Sequence, residues 1–246
     1  RYVWFHAASL GEFEQGRPIM ESLKNSHPEF KILLTFFSPS GYEVRKDYQG
    51  ADIICYLPMD MSWNVKRFLD IVQPDCAIFI KYEFWMNYLL ELKKRAIKTY
   101  IVSAIFRESQ LFFKWYGGYY RNLLKSFNHL FVQNDESVRL LHSIGFDNVT
   151  KVGDTRFDRV ADIASNAKEL PIVQLFKSDK KVWVAGSSWP NDEEILLSYF
   201  NQNKDIKLII APHEIHEEHL QSIISKLKCP YLRYSQATTE NISEAD

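Results

Sequence analysis

The sequence predicts an α/β protein: a parallel sheet with helices on both faces, followed by part of a second unit of the same kind. Two observations carry this. Short β-branched and aromatic runs alternate with amphipathic stretches of roughly 10–15 residues, the rhythm of βαβ units. A parallel sheet so built is buried on both faces, and its strands read as continuous apolar runs. The rhythm then breaks in a polar segment, about Asp162 to Lys181, that holds Pro171 and Ser178-Asp179-Lys180-Lys181. It restarts at Val182. The expected domains are therefore 1–170 and 171–246, the second incomplete.

Taken in order, the first strand is Tyr2–Ala8, whose Val3, Trp4 and Phe5 suit a buried position. A helix follows, with Pro18 near its start, where a missing N–H costs nothing. Lys31–Phe37 and Asp52–Leu57 are the next strands. The helix after them has Val65, Phe68, Leu69 and Val72 at i, i+3, i+4 and i+7, with Ser62 placed to cap it. Cys76–Tyr82, Thr99–Ala104 and Leu130–Gln133 complete the first sheet. Val182–Gly186, Leu208–Ala211 and Tyr231–Tyr234 are the strands of the second unit.

The composition, 46% hydrophobic and 25% charged over 246 residues, excludes disordered and fibrous classes. A net charge of −1 argues against nucleic acid as a partner. Cys55, Cys76 and Cys229 are too scattered for a disulfide framework or a CxxC site. No apolar run approaches the roughly 20 residues needed to span a bilayer. The chain opens in mid-strand without Met and without a signal peptide, which reads as a fragment of a longer protein.

Ligands of a doubly wound sheet bind beyond the carboxyl ends of its strands. Strand one runs out into Ala7-Ala8-Ser9-Leu10-Gly11-Glu12, where small residues allow close approach and helix N–H groups can hold an anion. The fourth strand runs out into Lys81-Tyr82-Glu83. Each acid reads either as a helix-start carboxylate stabilised by the dipole or as a general base. Residues 106–127 place seven aromatics before Leu123, interleaved with Arg107, Lys114, Arg121 and Lys125. That mixture fits a membrane surface, an amphiphilic phosphorylated ligand or a stacked nucleic acid, and equally a core with solvated cations. Arg156, after Gly153-Asp154, fits a phosphate or carboxylate partner or a surface ion pair. Gly186-Ser187-Ser188, before Asp192-Glu193-Glu194, fits a phosphate site or a plain N-cap. His213, His216 and His219 are spaced by three and three, not the four that places two imidazoles on one helix face, so no metal is expected.

Together these segments resemble the bacterial 3-deoxy-D-manno-octulosonic acid (Kdo) transferases. His6-Ala7-Ala8-Ser9-Leu10-Gly11-Glu12 is similar to their HAAS-x-GE motif, and Tyr82 to Asn87 to their TELWPN segment. Gly153 to Asp158 is similar to GN-x-KFD, Ala185 to Glu194 to AGST…EE, and Leu208 to Pro212 to the strand before PRH. The resemblance implies a GT-B fold and an inverting transfer of Kdo from CMP-Kdo to a lipid A precursor (lipid IVA), on the cytoplasmic face of the inner membrane. It implies an acceptor-binding first domain and a donor-binding second one. It makes Glu12 the general base, Glu83 and Arg156 stabilisers of the transition state, and Ser9 and Gly11 acceptor-side residues. Ser187, Ser188, Pro212 and His213 fall on the CMP side, with no cofactor. The chain departs from the pattern at Lys81, at Met86 and at His213, which stands where the family has a donor-binding Arg. The alternatives are another GT-B nucleotide-sugar transferase or epimerase, or a glycolipid-binding domain without catalysis. As a fragment, the chain is expected to be inactive alone.

Overall fold

The computed structural model describes residues 2–203, 205–242 and 245. The chain divides into two compact units, residues 1–166 and 167–246. In the first, β1 (Tyr2–His6), β2 (Lys31–Phe36), β3 (Ile53–Tyr56), β4 (Cys76–Ile80), β5 (Lys98–Ala104), β6 (His129–Val132) and β7 (Val149–Lys151) form one sheet. Its order is β3-β2-β1-β4-β5-β6-β7, and every pairing is parallel. The order reverses beside β1, so β1 and β4 flank the switch point where such sheets open a crevice.

Alternation along the strands divides the core in two. Trp4, Leu33, Phe79, Ile101 and Leu130 face helices α3 (Ser62–Val72), α4 (Met86–Lys94), α5 (Gly118–Leu124) and α6 (Asp135–Ser143). Val3, Phe5, Ile32, Leu34 and Ile80 pack against α1 (Leu10–Ser26) on the other face. Helix α2 (Pro39–Arg45) follows β2, and α7 (Thr155–Ser165) packs beside α1. Helix α2 comes so close that a Cβ on Gly41 would lie 2.3 Å from Phe36 Cδ1 and 3.1 Å from the Ser9 carbonyl carbon.

Three local expectations are corrected. Pro18 lies deep inside α1, because a capping box between Ser9 and Glu12 starts that helix at Leu10. Ser62 is the first residue of α3; Met61 holds the cap position and makes no side-chain cap. Tyr231–Tyr234 is no strand: 231–233 are irregular, and Tyr234–Gln236 is a short 3₁₀ turn. The aromatic stretch divides between both of its readings. Phe106, Phe112 and Phe127 are core, whereas Trp115 is 91% exposed and Tyr116 and Tyr119 lie beside it in the open. Arg121 donates to the Phe112 and Lys114 carbonyls, so its charge braces the loop.

In the second unit, β8 (Lys181–Ser188) pairs in parallel with β9 (Ile206–Pro212). Around them lie α8 (Pro171–Lys177), α9 (Pro190–Phe200) and α10 (Glu217–Lys226). Leu197, Phe200, Leu208 and Ile223 form its core. No described helix is long and apolar enough to cross a membrane.

Candidate active site

The carboxyl ends of β1, β2 and β4 hold the candidate residues of the first unit. Ala8 accepts the Phe37 and Ser38 N–H groups, at 3.2 and 2.7 Å, which ties the β1–α1 turn to the exit of β2. Ser9 then caps α1. Glu12, in the first turn, accepts the Ser9 N–H at 2.9 Å and the Ser9 hydroxyl, both on Oε2. Its Oε1 accepts nothing from the described residues. Gly11 has no left-handed φ, and a Cβ there would meet only Ser9 Oγ, at an ordinary 3.8 Å. Nothing in the packing or backbone of the first unit therefore requires glycine at this position.

At the exit of β4, Lys81 turns the chain with φ +71°. Phe84 anchors the loop among Phe106, Phe112 and Phe127. Glu83 is left beside the buried ring of His6, Oε2 to Nε2 at 3.3 Å, and accepts the Trp85 indole N–H at 2.5 Å. It is not the acid that caps the next helix. Asp60, which sequence reading missed, accepts the Asn87 and Tyr88 N–H groups at the start of α4. The acidic residue in Pro58-Met59-Asp60, before a helix, was its one available signal.

Arg156 is exposed and bonds Asp154 through Nε and Nη2, at 2.9 and 2.5 Å. This pairing holds the Asp154 carboxyl below the usual carboxylate range, helped by the charge of Lys81. Thr155 docks the start of α7 by donating to the Gln15 carbonyl at 2.8 Å. So Arg156 shares the neighbourhood of the β4–α4 loop, but no described ion pair joins it to Glu12 or Glu83.

In the second unit, Ser187 (φ +56°) places Oγ 2.8 Å from His213 Nδ1, both groups exposed. The His213 N–H reaches the Ser188 carbonyl just beyond Pro212, and its ring stacks on Trp189 with centroids 4.3 Å apart. Ser188 is different. It is buried, and its hydroxyl donates to Glu193 at 2.9 Å. Glu193 meets His219 Nε2 at 2.8 Å, and His219 Nδ1 contacts the Glu214 carbonyl at 2.9 Å. Sequence reading missed Trp189 and the pairing of Glu193 with His219. Trp189 and His213, like Glu193 and His219, stand far apart along the chain, and only folding brings each pair together.

Potential metal-ligating atoms of Glu214, His216 and His219 lie within 4.8 Å of one another. Both ring nitrogens of His219 are engaged, however, and His216 Nδ1 caps α10. The group is a hydrogen-bonded cluster. The hydrogen bond to Glu193 raises the His219 pKa above its ordinary value, seconded by the Glu214 carbonyl. A raised folded-state pKa gives stability that is full below about pH 6.5 and is lost as pH climbs through the folded value. The melting-temperature gap between wild type and His219→Gln should therefore be widest near about pH 6 and shrink by about pH 9. A gap constant across that range would refute a charged pair.

The doubly wound parallel sheet of the first unit, with Glu12 and Glu83 beyond its carboxyl ends, has the Rossmann-like fold found in GT-B glycosyltransferases and sugar-nucleotide epimerases. Solved structures of that class superpose on the chain. UDP-GlcNAc 2-epimerase from Neisseria meningitidis, bound to UDP-GlcNAc, matches with TM-score 0.64 and 15% identity, over 98% of this chain and 74% of that one. MurG from Acinetobacter baumannii matches with TM-score 0.56 and 11% identity, over 100% and 71%. At such identities the likeness is one of fold. Within the class, residues 1–159 match the family model of 3-deoxy-D-manno-octulosonic-acid transferase (kdotransferase), and the chain belongs to that family.

Two relatives carry that name. The Haemophilus influenzae transferase is 24% identical, over 98% of this chain and 58% of its own length. The Aquifex aeolicus transferase is 29% identical, over 87% and 55%. The chain thus spans a little over half the length of these relatives.

Proposed function

We propose that the protein moves Kdo from CMP-Kdo to a lipid A precursor, lipid IVA, with inversion at the anomeric carbon. The observation that carries this reading is the family match over residues 1–159, the stretch that holds both glutamates of the crevice. In this reading residues 1–170 bind the acceptor and 171–246 belong to the donor side. Glu12 Oε1 takes the proton from the acceptor hydroxyl while that oxygen bonds to the anomeric carbon. The bond to the CMP phosphate breaks, and CMP leaves with the electron pair. Glu83 faces the developing oxocarbenium charge, and Arg156 faces the phosphate or the Kdo carboxylate once it exchanges Asp154 for substrate. Ser9 and Gly11 border the acceptor. Ser187 and His213 present exposed polar groups to the donor beside Pro212, and Ser188 supports them from below.

Trp115, Tyr116 and Tyr119, with Lys114 close by, form the surface that meets the acceptor lipid or the cytoplasmic face of the inner membrane. The test is acceptor-dependent CMP release by the full-length protein, with CMP-Kdo, a tetraacylated lipid A precursor and detergent. Release supports the reading. A folded protein that releases no CMP but turns over a UDP-sugar would overturn it.

A further inference from the structure

A buried polar chain runs from the core to Glu83. Trp4 Nε1–H can only donate, and it donates to Thr35 Oγ1 at 2.8 Å. The Thr35 hydroxyl hydrogen can go to the Phe5 carbonyl at 3.4 Å or to His6 Nδ1 at 2.9 Å, and Nδ1 also lies 3.2 Å from the Thr35 carbonyl, which can only accept. The Thr35 side therefore admits either tautomer of His6. Its Nε2 is completely buried, makes no hydrogen bond, and lies 3.3 Å from Glu83 Oε2, a carboxylate oxygen that can only accept, so a neutral ring facing it carries its proton on Nε2. The contact is loose, as such contacts often are before a substrate draws the groups together. Trp85 donates to the same oxygen, and Glu83 Oε1 accepts nothing from the described residues.

We infer that His6 is a positioning residue: facing the Glu83 carboxylate it carries its proton on Nε2, and with Trp85 it pins one oxygen of Glu83 so that the other is presented to the crevice. The consequence for turnover rests on the role proposed for Glu83; the tautomer does not. A residue that orients a reacting group in this way is typically worth about tenfold to a hundredfold in activity. The cost should fall on kcat, because Glu83 meets charge that develops only in the transition state.

The tautomer is read in the full protein from imidazole nitrogen shifts, with His6 assigned through its own Cβ–ring correlations. An Nε2–H form, its resonance displaced by Glu83→Gln, is the expected result. An Nδ1–H form in the wild type overturns the inference whatever the protein transfers. In the CMP-release assay, His6→Phe should lower kcat by about tenfold to a hundredfold at nearly constant KM, and His6→Gln, which keeps an N–H near Nε2, should restore part of it. In a Glu83→Gln background the same His6→Phe change should cost less than about twofold. Equal losses in both backgrounds would mean that His6 does not act through Glu83. Unchanged turnover in Glu83→Gln alone would remove the catalytic consequence and with it the role proposed for Glu83, while the tautomer result stood or fell separately.

Discussion

Glu12→Gln is expected to lower acceptor-dependent CMP release by about 10²–10⁴-fold while leaving acceptor binding and the melting temperature nearly unchanged. The residue has two jobs that compete as explanations of its position. It closes a capping box with Ser9 at the start of α1, and it sets a carboxylate at the mouth of the crevice. Glutamine separates the two. A Gln in the first turn completes a capping box as Glu does, accepting the Ser9 N–H through its amide oxygen. It cannot take up a proton at neutral pH. Lost turnover with an intact fold therefore reports the base. Full turnover in Glu12→Gln would leave Glu12 as a cap and nothing more. A Ser9→Ala variant probes the contact between the two side chains: it removes the hydroxyl that donates to Glu12 Oε2 without removing the carboxylate.

The sheet and both glutamates were legible in the sequence because their signals are local. A strand buried on both faces shows itself as an unbroken apolar run, and an acid just past its end needs only counting. What stayed hidden depends on partners far along the chain. Glu193 was in view beside Ser188, but nothing near it announces that it will meet His219 26 residues later. Thr35 is one polar residue inside an apolar strand, and its use becomes visible only when β2 lies beside β1 and sets it against Trp4 and His6. Pro18 misled for a related reason. Proline favours a first helical turn, but the capping box at Ser9 is the stronger start signal and overrides it. The Tyr231–Tyr234 run has strand-like composition, yet the described sheet of its unit pairs only β8 with β9.

Trp4→Ala should destabilise the first unit by about 3–5 kcal/mol, lowering its melting temperature by roughly 6–20 °C. Trp4 is wholly buried in the central strand, with Phe68, Phe79 and Tyr88 around it at centroid distances of 5.1, 5.3 and 5.5 Å. These three rings come from α3, β4 and α4, so the indole joins two helices to the sheet, and truncation leaves a void that packed elements cannot easily close. Against a typical total of about 5–15 kcal/mol, the loss is a large share. Trp4→Phe should cost much less: a ring still fills most of the space, and the missing hydrogen bond to Thr35 adds on the order of 0.5–1.5 kcal/mol. Urea unfolding checks both variants, through a lowered midpoint at an unchanged slope. A Trp4→Ala midpoint within about 1 kcal/mol of wild type would mean that the ring cluster does not hold the layers together. The pair of variants also ties packing to chemistry. Trp4 donates to the Thr35 hydroxyl that also contacts His6 Nδ1, so Trp4→Phe frees Thr35 from its fixed donor and should shift the His6 ring resonances even where the fold survives.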